Sequence, residues 1–260
     1  MTAVPSPILP TQRLDGQHAI VTGAGRGIGR AAALALAEAG ANVTLFARSQ
    51  EELEAVAGEV RDRGAHAEVC VGDVRSPADV ARLVETAAAH EDLAVCVTAA
   101  GLNRPAPTLE QPLEDFDLVI DTNLRGTYLT CRAFAAAVIA RGHGGRIVAI
   151  SSQMGEVGYP ARAAYCASKH AVNGLVRALA VEWAPLGVAV NAVAPTFVDT
   201  AMTRPMLEDE AFRDDVLRRL PIGRIGTPAD VVGAVVFLAS EQAALVTGHI
   251  LAVDGGWTAW

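Results

Sequence analysis

Long apolar runs, an excess of positive charge and paired cysteine spacings are all missing from this chain of 260 residues. Each absence narrows what the protein can do. The longest apolar stretches, such as residues 231–239, fall well short of the roughly 20 residues a membrane-spanning helix needs. The opening MTAVPSPILPTQR has no basic segment followed by a long apolar one. It reads as a flexible arm over residues 1–13, not as a secretory signal. A formal charge of −8 and a pI near 5.2 argue against nucleic acid or an anionic membrane as the main partner. The four cysteines, Cys70, Cys96, Cys131 and Cys166, lie far apart, with no CxxC and no metal-ligand spacing. Reduced core thiols, no bound metal and a cytoplasmic location are the expectation. Aromatic residues make up only 5% of the chain.

What is abundant is alanine, valine and glycine, in a chain about half apolar, which suits tightly packed helices on a buried sheet. Apolar runs alternate with helical periodicity throughout. Strands are expected at 18–22, 42–46, 66–71, 93–98, 145–151, 188–195 and 249–254. Helices are expected at 27–39, 50–63, 77–90, 161–184 and 228–240, with one long helix or two abutting ones across 113–141. Residues 196–220 have no clear period. Strands alternating with helices imply right-handed crossovers. The fold class is therefore α/β, a Rossmann-type doubly wound, mostly parallel seven-stranded sheet with helices on both faces. No repeat or linker divides residues 14–260, so they are expected to form a single domain.

The turn after the first strand reads TGAGRGIG. The common dinucleotide fingerprint would place glycines at 23, 25 and 28, but position 28 is Ile28. Gly23, Gly27 and Gly29 form a GxxxGxG variant with the same mechanics. Positions without Cβ allow a tight turn and close approach of a pyrophosphate, and the following helix offers its N-terminal N–H groups. At the end of the second strand, where an acidic residue would bind the ribose of NAD(H), the chain has Arg48 and no carboxylate until Glu51. An arginine there can clamp a 2′-phosphate, and Arg26 can add a second cation. NADP(H) is thus preferred and NAD(H) possible, with Arg48 as a solvated helix-start residue the alternative.

Tyr165 and Lys169 stand four residues apart, and Ser152 lies thirteen before the tyrosine. On a helix that spacing puts phenol and ammonium on one face. An ammonium about 4 Å away supplies roughly the 4 kcal/mol needed to bring a phenol toward neutral pKa. The alternative is a lysine stem packed on an aromatic ring.

Together these residues resemble the short-chain dehydrogenases/reductases in their compact form. The resemblance spans residues 14–256 and adds GDV, DTNLRG, IVAISS, YCASK, NAVAP and TGHILAVDGG to the glycine turn. It implies that Tyr165 is the general acid/base and that Lys169 lowers its pKa and binds the nicotinamide ribose. It implies that Ser152 holds the substrate oxygen and that Asn123 orders a water leading to solvent. Asp73 and Val74 would hold adenine, and Val198 and Thr200 would approach the nicotinamide and phosphates. Ala100, Pro195 and Ile28 complete the cofactor set. Two segments depart from the family pattern: Thr98–Ala99 replaces Asn–Asn, and Thr196 replaces the usual glycine after Pro195.

The expected reaction interconverts a secondary alcohol and a ketone on a small molecule. Asn103, Arg104, Gln153, Met154 and Tyr159 are expected to line the substrate pocket, and the polarity of Gln153, Asn103 and Arg104 suggests a sugar acid or polyol. Arg104 either clamps a carboxylate or is a loop charge. A 3-oxoacyl thioester reductase is the alternative, and a non-catalytic dinucleotide sensor a further one. The apolar faces of segments 113–141 and 161–184, with Trp257 and Trp260, suggest a homotetramer, as is frequent in the family.

Overall fold

The computed structural model describes residues 8–259; residues 1–7 of the expected arm, and Trp260, lie outside the described residues. The strands are β1 (His18–Thr22), β2 (Asn42–Ala47), β3 (Ala67–Val71), β4 (Leu93–Thr98), β5 (Gly145–Ile150), β6 (Val188–Pro195) and β7 (Ile250–Val253). They form one wholly parallel sheet in the order β3-β2-β1-β4-β5-β6-β7. Side chains of a strand alternate between faces, so β1 sends Ala19 and Val21 to one core and Ile20 to the other. Both faces are covered, which is why the strands read as unbroken apolar runs.

One face packs against α1 (Gly27–Glu38), α2 (Gln50–Arg61) and α9 (Pro228–Ala239), through residues such as Leu36, Leu53 and Val235. The other packs against α3 (Pro77–Ala88), α5 (Gly126–Ala140) and α6 (Ala163–Trp183), through Leu83, Phe134 and Val176. Helix starts follow their capping residues. Ser49 and Ser76 accept backbone N–H groups of Glu52 and Asp79, and Thr227 with Asp230 forms a capping box.

The 113–141 segment is continuous: α4 (Leu113–Ile120) runs into α5 through a π-helical turn over Asp121–Arg125. The helix expected at 161 starts two residues later, because Ala161 takes a left-handed conformation with φ 55°. Residues 196–220 hold two short helices, α7 (Arg204–Leu207) and α8 (Glu210–Arg218). They close over an aromatic cluster of Tyr159, Phe197, Phe212 and Trp257. Trp257, expected to contribute to subunit contacts, is 7% exposed and packs within this cluster. The end of the expected flexible arm is also tied down: Gln242 donates to the Pro10 carbonyl and Arg13 to that of Glu38.

His18, at the start of β1, is fully buried and stacks on His90 with ring centroids 4.0 Å apart. Its Nε2 meets Thr44 Oγ1 at 2.7 Å, and Nδ1 has no partner among the described residues. Burial, then the neighbouring His90, lowers its pKa from 6.5 to about 4. A histidine held neutral contributes fully above its unfolded pKa, and that contribution is lost as pH falls from 6.5 toward 4. The loss amounts to about 3 kcal/mol. Urea unfolding followed from pH 7.5 to 4.5 should show this acid limb, and His18→Asn, which does not titrate, should flatten it. An unchanged slope would assign the acid sensitivity elsewhere.

Candidate active site

The strand order reverses direction between β1 and β4, and at such a switch point a parallel sheet opens a crevice beyond its carboxyl ends. The glycine turn forms one wall. Gly23 has φ 65°, and a Cβ there would lie 2.7 Å from the Ala100 backbone nitrogen. A Cβ on Gly29 would strike the Gly23 carbonyl oxygen. Larger residues would therefore push this wall away from β4.

The resulting cleft, of about 580 Å³, is lined by Gly23, Arg26, Gly27, Ile28, Gly29, Arg48, Asp73, Val74, Ala100, Pro195, Val198 and Thr200. Ser152, Tyr165, Lys169, Asn103 and Arg104 line it too. Asn123, Gln153, Met154 and Tyr159 do not. The buried Thr196 Oγ1 and Asn103 Oδ1 have no partner among the described residues, although both residues line the cleft. Orphaned polar atoms beside a glycine cradle fit a hydrogen-bonding dinucleotide. The other departure behaves differently: Thr98 Oγ1 is buried and likewise unpartnered among the described residues, so it does not replace the missing asparagine's contacts.

Lys169 is the only lysine in the sequence and is 5% exposed. Its Nζ donates to the Ile150 carbonyl at 2.8 Å and lies 5.6 Å from the Tyr165 ring centre. Burial lowers its pKa to about 8. Tyr165 is pushed up to about 12 by burial, with the Ser152 hydroxyl pulling the other way. In the protein alone the direction of the phenol's pKa is therefore set by burial. The ammonium is committed to a backbone carbonyl, and desolvation dominates. Ser151 turns from the chemistry by donating to Asn173 Oδ1 at 2.6 Å, while the Ser152 hydroxyl accepts the Met154 N–H at 3.1 Å.

Asn123 sits in the π turn, fully buried. Its Oδ1 accepts the Leu102 N–H at 2.8 Å, and its Nδ2 donates to the Leu102 carbonyl and to Ser168 Oγ. It therefore ties the loop after β4 to the residue preceding Lys169. Gly101 permits this closeness: a Cβ there would be 3.3 Å from Asn123 Oδ1 and 3.8 Å from Lys169 Nζ.

At the other end, Arg48 is exposed and makes no ion pair among the described residues. Arg26 lies 3.6 Å from Glu52, and Arg75 grips the Asp73 carboxylate, holding it below the usual carboxylate range. Of the expected substrate residues, Arg104 is paired with Asp115 at 3.4 Å. The Tyr159 hydroxyl donates to Asp215 at 3.2 Å, and its ring belongs to the lid cluster. Gln153 is buried with neither amide atom partnered among the described residues. Two residues carried no sequence signal beyond an arginine side chain, Arg75 in the cleft and the buried Arg162. The scarcity of lysine was a usable signal for Lys169.

Residues 23–258 match the family model described as enoyl-(acyl carrier protein) reductase. The chain is 42% identical over 250 residues to the galactitol 2-dehydrogenase (L-tagatose-forming) of Cereibacter sphaeroides, covering 95% of this chain and 97% of that one. It is 39% identical over 242 residues to the 3-oxoacyl-[acyl-carrier-protein] reductase of Staphylococcus aureus, covering 92% and 97%. A solved gluconate 5-dehydrogenase from Burkholderia cenocepacia, in complex with NADP and tartrate, superposes with a TM-score of 0.91 at 37% identity, covering 96% of this chain and 98% of that one.

The buried phenol yields a direct measurement. In cofactor-free protein, the 295 nm absorbance difference between wild type and Tyr165→Phe should stay flat up to pH 10. A phenolate step near pH 7 would show that burial does not govern this tyrosine.

Proposed function

The chain belongs to the short-chain dehydrogenase/reductase family, and from that premise we propose an NADP(H)-preferring enzyme that interconverts secondary alcohol and ketone on a polyol or sugar acid. The observation that carries this reading is that Ser152, Tyr165 and Lys169 line the same cleft as the glycine turn. NADP(H), when bound, supplies or accepts the hydride. Every other task falls to the chain. Tyr165 gives or takes the proton at the substrate oxygen, and Ser152 holds that oxygen beside it. Lys169 binds the nicotinamide ribose and stabilises the phenolate as charge develops. Asn123 fixes the loop over Lys169 and orders a water for proton exchange with solvent. Asp73 and Val74 hold the adenine, Arg48 takes the 2′-phosphate, and Arg26 adds to it once drawn from Glu52.

Similarity to the Staphylococcus aureus reductase favours a second reading, reduction of a 3-oxoacyl thioester. The paired state of Arg104 weakens the basic entrance that a carrier's phosphopantetheine would use. We further propose a homotetramer held through α4, α5 and α6, whose Leu113, Phe116, Tyr128 and Val181 are exposed apolar side chains. No helix among the described residues is long and apolar enough to cross a membrane, and the four cysteines are unpaired, in keeping with a cytoplasmic enzyme.

Tyr165→Phe should lower turnover by roughly 10²–10⁴-fold across a polyol and sugar-acid panel, leaving the NADPH dissociation constant within a few-fold. Retained turnover sinks the assignment. Arg48→Ala should weaken NADPH binding about 10–100-fold while changing NADH binding little. An unchanged ratio of the two affinities would remove the NADP preference. Light scattering in solution should give four times the chain mass of 27.0 kDa, and a monomer would overturn the tetramer.

A further inference from the structure

Arg162 is the one arginine fully withdrawn from solvent among the described residues, at 6% exposure. It immediately precedes α6, three residues before Tyr165. The left-handed turn at Ala161 directs the chain into this position. A guanidinium carries five N–H donors and needs strong acceptors when buried. Here Nη1 reaches only the carbonyl of its own neighbour, Ala161, at 3.0 Å, and Nη2 meets the Met206 thioether at 2.9 Å. Nε is buried with no partner, and no carboxylate lies within ion-pairing distance among the described residues. The faces of Tyr159 and Phe212, each 6.0 Å from the guanidinium carbon, offset part of the desolvation.

A thioether is a weak acceptor for a full positive charge. Tyr165 packs in the same cluster as Tyr159 and Phe212, the two rings against which the Arg162 guanidinium lies, so the cation borders the tyrosine's own surroundings. Met206 belongs to α7, and Met202 and Thr203 just before it line the cleft. A shift of that lid segment would exchange the thioether for a cleft ligand. Arg104 also lines the cleft, but it is exposed and already shares its charge with Asp115, so its polar atoms are satisfied without a ligand.

Resting on the oxidoreductase reading above, we propose that Arg162 is a substrate-recognition residue, and that the substrate carries a carboxylate. That carboxylate replaces the Met206 sulfur against the guanidinium fork while the carbinol or ketone lies at Tyr165. The substrate class is then a polyhydroxy acid, not a neutral polyol.

The test compares D-gluconate with D-glucitol as substrates of the NADP⁺-loaded enzyme, using wild type, Arg162→Gln and Arg162→Lys. The ratio of kcat/KM for the acid over that for the polyol should fall about 10–100-fold in Arg162→Gln. Arg162→Lys, which keeps the charge and loses the fork, should lie between. A purely structural pillar of the lid would lower both substrates alike; an unchanged ratio in the variants overturns the proposal. If Arg162→Gln does not fold, the Arg162→Lys ratio decides by the same rule. Should wild type turn over neither compound, the polyol and sugar-acid reading fails first. Calorimetric titration of gluconate into NADP⁺-loaded wild type and Arg162→Lys then judges Arg162 separately: weaker binding by the variant supports the carboxylate site, whereas equal affinity or no binding overturns it.

Discussion

The cleft depends on one close contact, the backbone of the glycine turn lying against the end of β4. Gly23 nearly touches Ala99 and Ala100, and Gly29 nearly touches Gly23. This brings the start of α1, with its unpaired N–H groups, to the crevice between two parallel strands. The Thr22 hydroxyl reinforces the seam by accepting the Ala100 N–H at 3.3 Å. From the same strand end the chain continues to Gly101 and Leu102, which Asn123 fastens to α6. The dinucleotide cradle and the Tyr–Lys face are thus set relative to each other by consecutive residues of one loop. A shift at Gly23 would propagate to both.

Charge is placed inside this frame at a cost. Lys169 and Arg162 are both withdrawn from water within a few residues of Tyr165, and neither has a carboxylate partner among the described residues. In a dry site such charges act more strongly on a developing oxyanion than they would in water. The stability lost by burying them is met elsewhere, through two apolar cores on a fully covered sheet. Burial also explains why Tyr165 resists ionisation in the protein alone.

Much of this was legible in the sequence because it rests on local physics. Parallel strands appear as short Val- and Ala-rich runs bounded by Gly or Pro, and seven of them gave the sheet its count. Tyr165, Lys169 and Ser152 stood out by helical spacing and by order along the chain. The π turn did not, because its extra residue leaves no mark in a stretch, Asp121–Arg125, that holds neither Gly nor Pro. Arg162 was also hidden. Its burial comes from Met206 and Phe212, more than forty residues further on, in a lid whose period was unreadable. Tyr159 follows Ser152 closely enough in sequence to suggest the pocket, yet its ring packs among Phe197, Phe212 and Trp257.

The solitary lysine has a practical side. All other side-chain cations that stay charged at neutral pH are arginines, so the chain's one ε-amine is the shielded Lys169. Acylating reagents, aldehydes and lysine-directed crosslinkers therefore find no ε-amine on the outer surface. Where such a reagent attacks a lysine side chain at all, the modified residue reports access to the cleft. The enzyme carries a built-in, single-site chemical probe of its own interior.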